Sequence, residues 1–396
     1  MDMGKINEEF PTARRLAFFR ASAISLLPRR TIELMQSLTK AWRVDQDPEA
    51  MKRIMESTDP CRDAGAKLMG AKQDEISYTS STTAGVNIFA SSLPWQPGDN
   101  VVIADLEYPA NVIPWYNQAQ LHGLKIRVVK SENGQVPLDK YEEAIDQNTK
   151  VVAVSHVQYL SGFRHDLKAL ARLAHANGAY LFVDGIQSLG ALKVNVKELD
   201  VDAFAVSGYK WLCAPMGTGL LYIREDLIDE LSPVHVGIES IPKALKETLW
   251  ERIMIGLPLL DEKEYSLFCP SGRRFQYGMP NLVGASGLEA SIKLFLELGP
   301  EKVEKHINDV TTYLMNGLEK KSVDLITPKQ WDMRAGIVTF KHNKPIRSED
   351  EAKELEKRFG EKGVLLTIRG GCVRVACHLY NTKDDADKLL KLLPVG

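Results

Sequence analysis

Short, continuously apolar runs recur between about residues 75 and 225, and stretches with helical spacing separate them. The runs are rich in Val and Ile, and most lack the alternation of apolar and polar residues that half-exposed strands show. They therefore predict strands that are covered on both faces, namely 101–108, 124–129, 151–157, 179–185, 202–208 and 219–225.

One of the intervening stretches predicts a crossover helix. Asp166 is placed to cap its start, apolar residues then recur at helical spacing, and Gly178 stands where the helix would end. Strand, helix and strand in this order form a βαβ unit, which indicates a mostly parallel sheet. Ligand sites in such folds lie at the carboxyl ends of the strands or between domains.

The pattern changes past Gly272 and indicates a second, smaller unit. A long helix is predicted first, and strands and helices then mix over the segments 335–342, 350–362, 372–380 and 383–393. We predict a large α/β domain, a small α+β domain, and an N-terminal segment that packs with the small one. Their expected bounds are residues 31–283, 284–396 and 1–30.

Composition and charge narrow the function classes. The 396 residues carry 50 Lys and Arg against 52 Asp and Glu, which gives no support for a nucleic-acid surface or a membrane-surface role. No apolar stretch approaches the ~18 residues of a membrane span, and the N-terminus lacks the apolar core of a secretory signal. Five cysteines without a CxxC pair favour reduced thiols in the cytoplasm over disulfides, and no metal site is expected.

Three sites at predicted strand ends could carry chemistry. Asp184 follows one strand, and Ser207 and Lys210 follow the next. The third is the hydroxyl run 81–83, which leads into a helical pattern and could bind a phosphate. Taken singly, the carboxylate also fits a turn and the hydroxyls an ordinary helix cap.

Together these residues suit pyridoxal phosphate. That cofactor needs a lysine for a Schiff base, a carboxylate facing the pyridine nitrogen and an anion site for the phosphate. Lys210 lies between Tyr209 and Trp211, where desolvation lowers the pKa of an amine and makes it a better nucleophile. Because lysine is rarely buried without a partner, a cofactor explains this position better than a structural role does.

Two competing motifs fail. Ser207 and Lys210 fit the S-x-x-K pattern of penicillin-recognising serine enzymes, but the S-D-N and K-T-G strings of those enzymes do not occur. The segment "GTGLLY" begins like a dinucleotide fingerprint, but Tyr222 stands where the third glycine belongs.

With these residues in place, the chain resembles the class V aminotransferase family, pyridoxal-phosphate enzymes of fold type I. The family includes cysteine desulfurases, C–S lyases, selenocysteine lyases and isopenicillin N epimerase-like proteins. The resemblance covers about 75–285 and 364–390, and "VDGIQSLG…DVDAFAVSGYKWLCAPMGTGLLYIRED" is its most specific part. It implies a seven-stranded, mostly parallel sheet and a homodimer with the active site at the interface.

The resemblance also implies residue roles. Lys210, Asp184 and Tyr108 would be catalytic: Lys210 bonded to the cofactor, Asp184 paired with its ring nitrogen, and Tyr108 stacked on its face. Gln187 would lie near the phenolic oxygen, and Thr82, Thr83 and Ser207 would hold the phosphate. Arg374 matches the arginine that grips the substrate carboxylate through a bidentate fork, and Arg369 is a second candidate.

Three departures from the family pattern matter. Met279 stands where relatives place a threonine that reaches the neighbouring subunit's phosphate, so only a backbone contact is expected there. The asparagine that many relatives direct at the ring oxygen is absent, and Gln158 or Tyr159 would have to substitute. Desulfurases carry a catalytic cysteine on a loop, whereas only "GGC" separates Arg369 from Val373.

The expected function is therefore C–S lyase or desulfurase-like β-elimination on a small, sulfur-containing α-amino acid. Transamination with a keto acid and epimerisation use the same core residues and stay open as alternatives. Desulfuration would require Cys372 as an attacking thiol. A non-enzymatic module that binds the cofactor for regulation is the remaining alternative, although a carboxylate-gripping Arg374 has little use in it.

Overall fold

The computed structural model describes residues 2–257, 264, 267–321 and 323–394. Its strands are β1 (Ala17–Phe18), β2 (Ile76–Thr79), β3 (Asn100–Ala104), β4 (Lys125–Val129), β5 (Thr149–Ser155), β6 (Tyr180–Asp184), β7 (Ala203–Ser207), β8 (Gly219–Ile223), β9 (Asp324–Leu325), β10 (Ile337–Lys341), β11 (Val364–Leu365), β12 (Thr367–Arg369) and β13 (Cys372–Ala376).

The helices surround these strands and include several that begin at clear capping residues. They are α1 (Met3–Glu9), α2 (Arg29–Lys40), α3 (Pro48–Met55), α4 (Thr58–Met69), α5 (Thr82–Ser92), α6 (Ile113–His122), α7 (Leu138–Ala144), α8 (Leu167–Ala176), α9 (Lys243–Ile255), α10 (Leu282–Leu298), α11 (Pro300–Leu318), α12 (Glu349–Gly360) and α13 (Lys383–Leu392). Asp166 caps α8 by accepting from Ala169 N at 3.0 Å, and Gly178 just past it has φ +73°, as the sequence predicts.

The large sheet has seven strands in the order β2-β8-β7-β6-β5-β3-β4. β8 runs antiparallel to both neighbours, and the other pairings are parallel. The prediction of a seven-stranded, mostly parallel sheet is confirmed. Because β4 and β5 lie on opposite sides of β3, the winding reverses there, and the carboxyl ends of the strands border a crevice.

Both faces of this sheet are buried, which explains the continuous apolar runs. In β5, Val152 and Val154 pack into one core, and Val151 and Ala153 pack into another on the opposite face. Alternate side chains of a strand point to opposite faces, so a strand covered on both sides needs apolar residues at every position.

The C-terminal part forms a smaller antiparallel sheet in the order β12-β13-β10-β9. In the N-terminal segment, β1 pairs in parallel with β11, so Ala17 lies opposite Val364. Helix α10 begins at Leu282, at the predicted boundary between the domains, and packs against α2 and α4.

Membrane-spanning helices and clusters of metal ligands are absent from the described part of the chain. No helix there combines the length and the apolar character that a membrane crossing needs. No three His, Cys, Asp or Glu side chains there are grouped as metal ligands.

Candidate active site

The carboxyl ends of β6 and β7 bring Asp184 and Lys210 into one site. The two strands are neighbours, Asp184 pairs with Ala205, and Lys210 follows the end of β7 by three residues. Its Nζ lies 5.5 Å from the ring centroid of Tyr108 and 5.8 Å from that of Tyr209. With the lysine only 7% exposed, the amine sits among aromatic faces rather than in water.

Burial lowers the pKa of Lys210 below that of an ordinary lysine. Asp184 acts in the opposite direction, and the charges of Arg374 and Arg369 lower the pKa further. Two cations and a dry environment therefore favour the neutral amine, which is the nucleophilic and basic form.

The Asp184 carboxyl is buried, and burial raises its pKa. Its Oδ1 accepts from the backbone N–H of Ile186 at 2.9 Å, whereas Oδ2 makes no hydrogen bond with any described residue. The charge of Lys210 lowers the pKa of Asp184 and only partly offsets the effect of burial, and the charge of Glu107 raises this pKa further. A cationic N–H group placed against Oδ2 would compensate this buried charge.

A hydroxyl pair connects the end of β7 to the start of α5. The backbone N–H of Thr82 donates to Ser207 Oγ at 2.7 Å, and the two hydroxyl oxygens lie 3.0 Å apart. Ser81 caps α5 by accepting from Ala84 N at 3.1 Å. A Cβ at Gly85 would lie 2.7 Å from the Ala205 methyl, so glycine permits this close approach. Hydroxyls at a helix N-terminus suit a phosphate.

Arg374 presents part of its guanidinium to the same site. Its Nη1 donates to the Tyr159 carbonyl at 2.7 Å and its Nε to Thr367 Oγ1 at 3.1 Å, which fixes its direction. Nη2 makes no hydrogen bond, and no carboxylate pairs with the side chain, among the described residues. Burial lowers its pKa to about 10. The arginine is thus fixed in place and available to an anion.

Tyr108 is connected to Arg374 through Tyr159, whereas Arg369 acts on Arg374 through its charge. The Tyr108 and Tyr159 rings meet edge to face at 5.2 Å between centroids, so Tyr159 links the predicted stacking residue to the Arg374 region. Arg369 is half exposed at the end of β12, where its Nη1 donates to the Ile368 carbonyl at 2.6 Å. It acts on the site through its charge.

Both the nitrogen and the oxygen of the Gln187 side-chain amide form hydrogen bonds. Its Nε2 donates to the Ser22 carbonyl at 3.0 Å, and its Oε1 accepts from Trp211 Nε1 at 2.8 Å. These bonds hold the turn after β6 against Trp211, which follows Lys210. One amide proton is left for a ligand.

Two of the predicted cofactor-binding residues, Thr83 and Met279, are exposed in this chain. Thr83 is exposed in the first turn of α5, and Met279 is 71% exposed on the loop before α10. That loop is tied to β2, because Tyr78 N donates to Gln276 Oε1 at 3.1 Å and Tyr78 Oη donates to the Asn281 carbonyl. A role for Met279 toward a second subunit stays a prediction.

Sequence reasoning missed Glu107, a buried carboxylate directly behind the site. Its two oxygens accept four hydrogen bonds, from the backbone and hydroxyl of Ser155 and the amides of Gln158 and Asn111. Burial raises its pKa, and its charge in turn raises that of Asp184. An acidic residue soon after an apolar strand was the available signal, and it resembled an ordinary turn residue.

The arrangement fits pyridoxal phosphate on features of this chain itself. Among the described residues, Gln158 Oε1 is buried without a partner and Asp184 Oδ2 and Arg374 Nη2 form no hydrogen bond, and the start of α5 offers hydroxyls. Thr82 and Ser207 would hold the phosphate, Asp184 the ring nitrogen and Lys210 the aldehyde carbon.

Comparisons with known proteins agree with this architecture. The family described as "Aminotransferase class-V" matches residues 17–389. A probable cysteine desulfurase of Pyrococcus abyssi is 28% identical over 406 residues, covering 98% of this chain and 96% of the relative.

Solved structures are similar in fold over nearly the whole chain. An apo cysteine desulfurase from Thermococcus onnurineus has a TM-score of 0.84 at 26% identity, covering 98% of this chain and 96% of that one. The cystine C–S lyase C-DES, in complex with its product cysteine persulfide, has a TM-score of 0.83 at 22% identity, covering 97% and 98%.

Proposed function

The chain belongs to the class V aminotransferase family, and from that premise we propose that it cleaves the carbon–sulfur bond of a small α-amino acid by β-elimination. It is a pyridoxal phosphate-dependent enzyme. For cysteine the balanced reaction consumes one water and yields pyruvate, ammonia and hydrogen sulfide. The α-proton leaves Cα, and the electron pair of the C–S bond leaves with sulfur.

Lys210 is the proposed base for the α-proton. Bound pyridoxal phosphate supplies an electron sink for the carbon that loses this proton. The buried amine has a lowered pKa, so a useful fraction is neutral near pH 7 and can accept a proton at Nζ. The rings of Tyr108 and Tyr209 keep water away from Nζ.

Arg374 would orient the substrate through its carboxylate, and Asp184 would orient the cofactor through its ring nitrogen. The free Nη2 of Arg374 is placed to bind the substrate carboxylate, and the Tyr159 carbonyl prevents the guanidinium from turning away. The unbonded Oδ2 of Asp184 would hold a protonated ring nitrogen. Such fixed charges keep the Cα–H bond near Lys210 in each turnover.

The position of Cys372 is the observation that favours elimination over thiol-dependent desulfuration. β12 and β13 form a hairpin in which Arg369 pairs with Cys372, and only Gly370 and Gly371 connect them, both at positive φ. The thiol is buried, burial raises its pKa, and Sγ contacts the Gly370 carbonyl at 3.5 Å. A cysteine held within a paired strand cannot swing onto a bound substrate.

The other thiols do not offer a substitute. Cys61, Cys213, Cys269 and Cys377 are buried, and burial raises the pKa of each. A thiolate is the nucleophile in sulfur transfer, so a buried thiol with a raised pKa is inert. The names of the relatives, cysteine desulfurase and cystine C–S lyase, support a sulfur amino acid as substrate and leave the route open.

A substrate panel with product analysis tests the proposal. The enzyme loaded with pyridoxal phosphate is offered cysteine, cystine, alanine and glutamate, with and without a keto acid, and Cys372→Ala is measured beside wild type. From cysteine or cystine we expect pyruvate, ammonia and reduced sulfur without any keto acid. The rates of Cys372→Ala should lie within about twofold of the wild-type rates. Cys269→Ala is the matched control for loss of a buried thiol.

Other products would overturn the assignment in distinguishable ways. Alanine with persulfide, lost in Cys372→Ala but not in Cys269→Ala, would establish thiol-dependent desulfuration. Strict dependence on a keto acid would establish transamination. A homodimer with a shared active site and a cytoplasmic location are further proposals, and sedimentation of the loaded enzyme would check the first.

A further inference from the structure

A cavity of about 680 Å³ has a lining different from that of the proposed active site, although His156 N in its wall donates to the Asp184 carbonyl at 3.0 Å. Its walls are the segment 135–141, His156 just after β5, the start of α8, the segment 193–199 and Asp332–Met333. None of the predicted cofactor or substrate residues lines it. The volume is within the ~300–1,000 Å³ that small-molecule sites span.

Arg164 is a charged group of the cavity wall that no described residue pairs with. Arg164 is partly buried, and its backbone is fixed by an N–H donation to the Met333 carbonyl at 2.8 Å. Its guanidinium forms no hydrogen bond and no ion pair with any described residue. Desolvation lowers its pKa, which means that the surrounding carboxylates compensate its charge incompletely.

The neighbouring charged groups are engaged or lie at the rim. Lys193 pairs with Glu301 at 2.9 Å, Asp166 caps α8, and Glu198 accepts from an asparagine amide. Lys168 and Asp332 are exposed at the mouth. Glu304, whose charge acts most strongly on Arg164, accepts from Lys193 N at 2.7 Å and from Trp331 Nε1 at 3.3 Å. Arg164 is therefore the partly buried cation of the cavity whose guanidinium donors no described residue uses.

A second polar group in the wall also lacks a partner. His156 is 1% exposed, and its Nδ1 is buried without a hydrogen bond. Burial and the Arg164 charge lower its pKa far below the ordinary value, so the ring is neutral. The wall also carries the apolar side chains of Leu138, Phe163 and Leu199, together with polar groups such as Gln135 and Asn195.

We propose that this cavity binds a small organic carboxylate with an apolar aryl or alkyl body, the carboxylate on Arg164 and the body against Leu138, Phe163 and Leu199. A guanidinium fork matches a carboxylate, and a charged hydrogen bond in a partly desolvated site is stronger than one at the surface. The apolar wall selects against inorganic anions, which bury no apolar area.

Calorimetry on the cofactor-loaded enzyme with 4-phenylbutyrate as the probe tests this site. We expect saturable binding that weakens at least about tenfold in Arg164→Gln. Arg172→Gln is the matched control, since that exposed arginine of α8 is removed with the same change in charge, and binding should stay within about twofold. The uncharged 4-phenylbutan-1-ol should bind at least about tenfold more weakly than the acid.

A second variant keeps the test valid if Arg164→Gln folds poorly. Leu138 is 38% exposed, so Leu138→Trp can be tolerated while it fills the cavity and abolishes probe binding. Absence of saturable binding by wild type, or equal binding by Arg164→Gln, overturns the proposal. Loss of binding in Arg374→Gln but not in Arg164→Gln would place the probe in the active site and would also overturn it.

Discussion

The backbone N–H of Thr82 donates to Ser207 Oγ at 2.7 Å, although the two residues are 125 positions apart in the chain. This bond joins the start of α5 to the end of β7, and thereby sets the proposed phosphate site next to Lys210. The end of β7 and the start of α5 would thus fix where the phosphate site lies relative to Lys210.

Replacement of Ser207 tests the phosphate end of the site. We expect Ser207→Ala to weaken the affinity for pyridoxal phosphate about tenfold, because a hydrogen bond to a charged group contributes roughly 1.5–3 kcal/mol. Cofactor titration followed by absorbance measures it. Ser92→Ala, which removes a buried hydroxyl bonded to the Ile88 carbonyl in the same helix, should leave the affinity unchanged. Equal losses in both variants would contradict the assignment.

Replacement of Lys210 tests the covalent end. Borohydride treatment of the loaded wild type should attach the cofactor to Lys210, as peptide mass spectrometry would detect, and Lys210→Ala should give no attachment. Activity should fall at least about a hundredfold, since a positioned general base contributes roughly 10²–10⁴. The exposed Lys67, paired with Asp63 on α4, provides the control variant Lys67→Ala. Attachment at another lysine would refute the role of Lys210.

Substitutions of Arg374 and Arg369, the two candidates for binding the substrate carboxylate, should have different effects on KM. Arg374→Gln removes the buried, partly unbonded guanidinium, so KM for the amino acid should rise about 10–100-fold. Arg369 is half exposed, and Arg369→Gln should change KM by less than about threefold, because solvent screens such charges. A larger effect at Arg369 would move the carboxylate site to the end of β12.

Buried histidines should make the stability depend on pH. His165 Nδ1 donates to the Ser155 carbonyl at 2.8 Å, and Nε2 lies 3.1 Å from the Tyr141 hydroxyl. Burial lowers its pKa from 6.5 to about 4. Between these values the unfolded chain binds more protons, so stability falls with decreasing pH, by at most about 1.4 kcal/mol per unit for this group.

Urea unfolding at several pH values between 7 and 4 measures this dependence. His165→Gln should reduce the slope of stability against pH, whereas His122→Gln, at an exposed position, should leave the slope unchanged. A slope that is identical in wild type and His165→Gln would show that this ring does not carry the effect.

Local patterns predicted the large sheet well. Strands such as β5 and β6 are apolar at successive positions because both faces are covered, and that signal needs no knowledge of the partner strands. β2 was missed, since "ISYT" is a short run with hydroxyls and its burial against β8 is a tertiary property. Some strands were predicted to be longer than they are. The strand predicted over 101–108 ends at Ala104, where the chain leaves the sheet toward the site.

The proposed site was predicted less completely. Lys210 and Asp184 follow apolar strands and carry the family motif, so the sequence singled them out. The fourfold bonding of Glu107 and the engagement of Gln187 with Trp211 depend on segments far apart in the chain. A residue pattern cannot report such pairs.

By itself, the sequence determined the class of fold, the family, and the lysine and carboxylate that would meet the cofactor, because each follows from local patterns and motifs along the chain. Only the tertiary structure decided that Cys372 is held in a two-glycine hairpin and that no described residue pairs with the Arg164 guanidinium beside a cavity. The burial of a side chain and its hydrogen-bond or ion-pair partners depend on neighbours that come from distant parts of the chain. Packing therefore decides whether a thiol is buried or a charged group is paired, whereas the sequence gives only the positions of these residues in the chain.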